Sequence, residues 1–193
     1  LCRENNEVLV RGAVDGTIGR VWVPQLGNSS YCLIVVGDFA YLMGLPPKGE
    51  QALDLKTQIY QSAPRAYIYP QNGRWEDWLE EEFMGQTRLV SRYALRKDEH
   101  HFDSGLLKQY IESVPKGIRI KRIDDRLYHQ ALKEEWSRDL CANFEDEKHF
   151  QEKGFGYVAL KGRELVAGCS AYGASEGMME IEVDTRKDFR RQG

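Results

Sequence analysis

Three strand-sized segments follow one another late in the chain, at 155–160, 165–172 and 178–183. Only Lys161-Gly162-Arg163 and the 173–177 stretch separate them. A parallel crossover needs roughly a dozen connecting residues or more, whereas antiparallel neighbours can be joined by a tight turn. The segments are therefore expected to form an antiparallel meander. Whatever precedes a meander must cover one of its apolar faces, so this feature restricts the fold more than any other in the sequence.

Two helices are expected to do the covering. Asp124 or Asp125 can cap one that carries Tyr128, Leu132 and Trp136 at i, i+4 and i+8. Asn143 is a candidate cap for a second helix at 144–153, which Gly154 ends. A strand at 118–123 opens the series. The resulting order is strand, helix, helix and three antiparallel strands.

The first part of the chain reads differently. Strands are expected at 7–14, where Val8 and Val10 alternate with polar residues, and at 17–23. The apolar runs at 31–36 and 39–43 flank Gly37-Asp38 and read as a tight hairpin. A helix follows at 50–62 with Ala52, Leu55 and Ile59 on one stripe. A second is expected at 74–83 with Trp75, Trp78, Leu79 and Phe83 on its apolar face, and a short strand at 66–69 lies between the two. The 86–95 segment alternates Leu89, Ser91, Tyr93 and Leu95 and reads as a strand. The 97–103 stretch, with His100 and His101, reads as a solvated connector. A helix near Ser104 carries Leu107, Tyr110, Ile111 and Val114, and Pro115 and Gly117 end it.

The predicted fold class is therefore α/β of the α+β kind: a mixed, largely antiparallel sheet flanked by helices, preceded by a smaller α/β domain. The domain boundary is placed at 116, giving 1–116 and 117–193. The 1–116 part is open to being a diverged copy of the fold that follows it. The chain starts at Leu1, and Gly193 falls inside a motif, so a segment is expected to be missing at either end.

Composition excludes several functions. With 41% hydrophobic and 30% charged residues the chain is an ordinary globular protein, and a net charge of −3 offers no basic footprint for nucleic acid. The longest apolar run, 32–36, falls far short of the roughly 20 residues of a membrane span, so no membrane partner is expected. Cys2, Cys32, Cys141 and Cys169 are widely spaced, without metal-site or disulfide-framework spacing. They read as buried, reduced thiols of a cytoplasmic protein, with no metal expected. Cys169 has no histidine placed to activate it as a nucleophile.

Chemistry concentrates at 180–193, Glu-Ile-Glu-Val-Asp-Thr-Arg-Lys-Asp-Phe-Arg-Arg-Gln-Gly. A strand runs into a charged loop that ends in Arg-Arg-Gln-Gly. Glycine at a loop-to-helix junction lets backbone N–H groups approach an anion, and a helix opening there adds the positive end of its dipole. Arg190 and Arg191 add charge, so a pyrophosphate is the natural guest.

The stretch 183–193 resembles the signature of the GCN5-related N-acetyltransferase superfamily: an apolar strand end, a turn, an aromatic residue, then Arg/Gln-x-x-Gly-x-Gly/Ala. Phe189 matches the aromatic residue, Arg190 the Arg/Gln and Gly193 the first glycine. The element order over 118–183 matches the opening of that fold. The whole chain is similar to the acetyltransferase subgroup that includes the zwittermicin A resistance protein, on Gly37-Asp38-Phe39 and the 180–193 stretch.

The resemblance implies acetyl transfer from acetyl-CoA to an amine acceptor, a small molecule, by direct attack. It places Val183, Asp184 and Thr185 along the cofactor's pantetheine arm. It places Arg190, Arg191, Gln192 and Gly193 at the start of a pyrophosphate cradle. The glutamate usual in relatives falls at Met179 here, so the base candidates become Glu180 and Glu182, one residue away on either side of Ile181. The helix that commonly supplies a tyrosine acid lies beyond 193, and Tyr172 is not carried over to that role. Glu145-Asp146-Glu147 could attract a cationic amine, or could serve the dipole of the following helix. A homodimer is compatible with the sequence. Two other readings stay open: a non-catalytic acyl-CoA-binding or regulatory module on the same fold, and an unrelated phosphate- or nucleotide-binding protein.

Overall fold

The computed structural model describes residues 7–93 and 102–191. Cys2, His100, His101, Gln192 and Gly193 lie outside the described residues, as does the end of the 86–95 segment.

Two four-stranded sheets with sequential strand order make up the fold. The first contains β1 (Arg20–Trp22), β2 (Tyr31–Val36), β3 (Phe39–Gly44) and β4 (Tyr67–Pro70). Its first two pairings are antiparallel, and β3 pairs with β4 in parallel across helix α2 (Glu50–Ser62). Both faces of β2 are buried, which is why its sequence is continuously apolar rather than alternating. Tyr31 and Leu33, with Ala40 and Leu42 of β3, pack on Leu55 of α2 and on Trp75 and Trp78 of α3 (Gly73–Phe83). Buried indoles require partners. The Trp75 indole N–H donates to the Gly44 carbonyl at 3.0 Å, and that of Trp78 donates to the Pro47 carbonyl at 3.0 Å.

The opposite face, with Cys32, Ile34, Val36, Tyr41 and Met43, joins one buried cluster with residues of the second sheet and its helices. That sheet runs β5 (Ile118–Arg122), β6 (Gly156–Lys161), β7 (Glu164–Ser175) and β8 (Met178–Thr185), antiparallel throughout. The meander expected from the turn lengths is present. Helices α5 (Asp125–Ala131) and α6 (Glu147–Lys153) and a 3-10 turn at Glu135–Leu140 pack on the sheet through Leu127, Leu140 and Phe150. Asp124 caps α5 through a 2.9 Å bond from the Leu127 N–H.

Several sequence expectations are corrected. The 7–14 segment is not a strand but helix α1 (Val8–Val14), because it packs across β7. Gly12 lies so close to β7 that an added Cβ would come within 2.6 Å of the Ala174 carbonyl oxygen. Alternation of two valines cannot outweigh that tertiary fit. Residues 86–93 form no strand and are exposed, Leu89 at 95% and Tyr93 at 98%, since no sheet edge receives them. The helix expected to reach Trp136 stops at Ala131, and Trp136 lies in the 3-10 turn. The next helix starts at Glu147 with Asp146 as its cap. Asn143 instead donates to the Tyr172 carbonyl at 2.9 Å. Helix α4 (Ser104–Glu112) forms as expected but buries none of its residues.

Candidate active site

Among the described residues strand β8 is one of the two edge strands of its sheet, and the candidate site lies along it. Its register fixes the surroundings. Glu182 sits opposite Ser170 and Asp184 opposite Gly168 on β7, so all four residues share one face. The 3-10 turn packs onto that face. The Ser170 hydroxyl donates to the Leu140 carbonyl. Gly168 leaves room for the Leu140 side chain, which would stand 2.4 Å from a Cβ at that position. The packing brings Asp139 beside Glu182 and Asp184.

A fourth carboxylate arrives from the first sheet. The β2–β3 turn at Gly37-Asp38 is keyed into β7, where the ladder to β8 shifts register between Ala171 and Gly173. This β-bulge turns Tyr172 toward the hairpin. The Asp38 N–H donates to the Tyr172 hydroxyl at 2.9 Å, and Phe39 meets the Tyr172 ring edge-on at 5.5 Å. Gly37 adopts φ of 52°, and a Cβ there would lie 2.1 Å from the Tyr172 hydroxyl.

The electrostatic outcome is specific. Burial first, then Asp139, Asp184 and Asp38, push the Glu182 carboxyl above its ordinary value. Burial, then Asp38 and Asp184, push Asp139 up as well, against the pull of Arg138. A carboxyl raised in this way holds a proton more readily and is a stronger base once ionised. Glu180, in contrast, is exposed, and among the groups it acts on is Tyr41 of the first sheet, whose hydroxyl burial raises. The two glutamates proposed as a pair thus have different surroundings. Met179 is half-buried and packs against the core, so nothing at the position usual for a glutamate reaches the site.

The remaining candidates are placed as follows. Val183 is 67% exposed on the other face of β8. The Asp184 carboxylate accepts from the Thr185 N–H at 2.6 Å and from the Arg190 guanidinium at 3.3 Å. Arg190 also donates to the Thr185 carbonyl at 2.8 Å, so it folds back onto the strand end. Arg191 is exposed with φ of 61°. Phe189 lies under the Arg186 guanidinium at 4.7 Å and near the Lys161 ammonium at 5.1 Å.

Cys169 is exposed rather than buried as expected, because it faces the uncovered side of the sheet opposite Val183. Partial burial, followed by Glu182, raises its thiol. Cys32 and Cys141 are buried. Asp146 accepts from the His149 N–H at 2.7 Å and so caps its own helix, and Glu147 pairs with His129 of α5 at 3.5 Å, which ties the two helices together. Glu145 lines a cleft of about 1020 Å³ between α2 and the 142–146 segment with the start of α6, together with Gln58, Asn143 and His149. Among the described residues no group of three His, Cys, Asp or Glu side chains is arranged to hold a metal, and no helix is long and apolar enough to cross a membrane.

Sequence reasoning did not single out Asp139, Asp184's place beside it, or Asp38 as a neighbour of Glu182. All three depend on long-range packing. The one local signal was the Gly37-Asp38 turn itself.

Comparison with known proteins matches this architecture. A family model described as GNAT acetyltransferase covers residues 1–193. A curated relative from Bacillus subtilis (strain 168), named Uncharacterized N-acetyltransferase YdfB, is 22% identical over 139 residues, which are 69% of this chain and 48% of that protein. The chain therefore spans about half the length of that relative. The crystal structure of a GCN5-related N-acetyltransferase-like protein from Streptococcus suis 89/1591 superposes with a TM-score of 0.84 at 32% identity. The match takes in 100% of this chain and 75% of that one.

Proposed function

The chain belongs to the GNAT acetyltransferase family, and from that premise we propose that it transfers the acetyl group of acetyl-CoA to the amine of a small molecule by direct attack. The observation that carries the reading is the Glu182 carboxyl, held on the edge strand and raised by burial and by three neighbouring carboxylates. An amine attacks only when neutral, so a base must take its proton. A base titrating nearer the working pH does this best and contributes roughly 10²–10⁴ in rate. Asp139, Asp184 and Asp38 make the site negative, which favours the approach of an ammonium ion and delivers it to Glu182.

The residues present fit acetyl-CoA at the strand. An edge strand offers backbone groups on its open side, and Val183, Asp184 and Thr185 would hold the pantetheine arm there. Arg190 and Arg191 would hold the pyrophosphate, once Arg190 leaves Asp184 and the Thr185 carbonyl. Bound acetyl-CoA supplies an activated thioester carbonyl. Glu182 holds the proton taken from the amine, and Asp139 and Asp184 keep the base in its raised state. The subgroup that includes the zwittermicin A resistance protein, and a cytoplasmic location, belong to the same proposal.

The test uses the complete protein. Acetyl-CoA binding is measured by calorimetry, and release of the free thiol is followed across a panel of primary amines. Binding with amine-dependent thiol release supports the reading. Binding without release to any amine would replace it with a non-catalytic acyl-CoA module, and absence of binding would end it.

A further inference from the structure

The first sheet carries an aromatic ladder that the acetyl-transfer reading leaves unused. The parallel pairing sets Phe39 beside Tyr67 and Tyr41 beside Tyr69. Phe39 and Tyr67 stack with centroids 5.8 Å apart, Tyr41 and Tyr69 stack at 5.1 Å, and Phe39 and Tyr69 lie 5.9 Å apart at a tilt. Four rings thus form one continuous π surface across two strands. It runs from the exposed Tyr67 inward to the buried Tyr41.

A cation already sits on this surface. The guanidinium carbon of Arg92 stands 4.9 Å from the Phe39 centroid and 5.7 Å from that of Tyr67. Its Nη1 donates to the Tyr69 hydroxyl at 3.1 Å. Planar guanidinium groups stack on aromatic faces better than ammonium groups do, because they are flat and weakly hydrated. The hydroxyl adds a directed acceptor. Arg92 belongs to the exposed 87–93 segment, which has no helix or strand to hold it in place. Next to the ladder is a pocket of about 220 Å³, walled by Tyr41, Met43, Tyr69, Pro70 and Gln71, with Glu7 at its lining. Aromatic walls are the chemistry that recognises an organic cation.

We propose that the Phe39–Tyr67–Tyr69 face with its adjoining pocket is a binding site for the guanidinium group of an external ligand, and that Arg92 is its internal occupant. The ligand stacks its plane on Phe39 and Tyr67 and donates to the Tyr69 hydroxyl, while the rest of it extends along the adjoining pocket. Arg92 competes for the same rings, so the apparent affinity in the unmodified chain is reduced by the fraction of time Arg92 is in place. The proposal does not depend on acetyl transfer.

The test is calorimetric titration of the chain with n-butylguanidinium, with n-butylamine as control. Arg92→Ala should bind n-butylguanidinium at least about tenfold more tightly than the unmodified chain. Adding Tyr67→Ala should abolish that gain, and adding Tyr69→Phe should reduce it. In the unmodified chain, saturating n-butylguanidinium should move the Arg92 Nε–H resonance out of its ring-shifted position. A blocked tripeptide, Gly-Arg-Gly, separates the sources: binding of the tripeptide assigns the guanidinium to a polypeptide, and binding of n-butylguanidinium alone assigns it to a small molecule. No gain from Arg92→Ala, a gain that survives loss of Tyr67, equal binding of n-butylamine, or an unmoved Arg92 resonance would each overturn the proposal.

Discussion

Replacing Gly37 by alanine isolates the joint between the two sheets. The added methyl meets two obstacles. The left-handed conformation at φ of 52° costs a residue with a Cβ about 1–2 kcal/mol. The Cβ would also stand 2.1 Å from the Tyr172 hydroxyl and 2.8 Å from the Asn143 side-chain oxygen. Tyr172 is buried and rigid, so relief requires breaking its 2.9 Å bond from the Asp38 N–H. A hydrogen bond lost with a partner left unsatisfied costs about 1–3 kcal/mol. The sum is about 2–5 kcal/mol, and at this chain length about 2–4 °C of Tm follows each kcal/mol. Gly37→Ala is therefore expected to lower Tm by about 4–20 °C in a circular-dichroism melt. The double variant with Tyr172→Phe provides the control. That change removes the clashing oxygen, so Gly37→Ala should cost about 1–2 kcal/mol less in its presence. A Gly37→Ala chain as stable as the parent, or an undiminished penalty in the Tyr172→Phe background, would refute the keyed joint.

Three further outcomes are expected. Asp139→Asn removes one of the like charges that raise Glu182; the acid limb of the pH–rate profile should move to lower pH, because the base then ionises earlier. Asp124→Ala removes the cap of α5, whose bond from the Leu127 N–H is 2.9 Å, and should cost about 1 kcal/mol in urea denaturation. Cys169 is exposed, but burial and Glu182 raise its thiol; mass-mapped iodoacetamide labelling at this residue should be slow at neutral pH and accelerate steadily above it.

The pH dependence of stability has a determined sign here. Glu182 and Asp139 have raised values in the folded chain. Each therefore contributes stability that is fully present below its unfolded value and is lost as pH rises through its folded value. Asp15 has the opposite sign. Bonds from Thr17 and Ser175 outweigh its burial and lower its value, so its contribution is lost on acidification.

Elements whose signals are local were legible in the sequence. Helix α2 was read at Glu50–Ser62 because Ala52, Leu55 and Ile59 mark its buried stripe. The β2–β3 hairpin followed from two apolar runs around a turn-forming Gly-Asp. Helix α1 was misread because Val8 and Val10 suit either state, and packing against Ala174 decides between them. The cap of α6 was assigned to Asn143, a residue equally suited to capping, but Tyr172 claims its side chain. The candidate site divides in the same way. Glu182 and Arg190 were found through strand alternation and a motif. Asp139 and Asp38 were not, since only the packing of Leu140 on Gly168 and of Gly37 on Tyr172 brings them to Glu182.

The most direct test of the central claim compares Glu182→Gln with the parent in the complete protein, measuring acetyl-CoA affinity and amine-dependent turnover on the same preparation. Loss of a general base predicts a fall of roughly 10²–10⁴ in kcat with acetyl-CoA affinity unchanged, and loss of the acid limb of the pH profile. Turnover within threefold of the parent, with the acid limb intact, would contradict the assignment of Glu182 as the base.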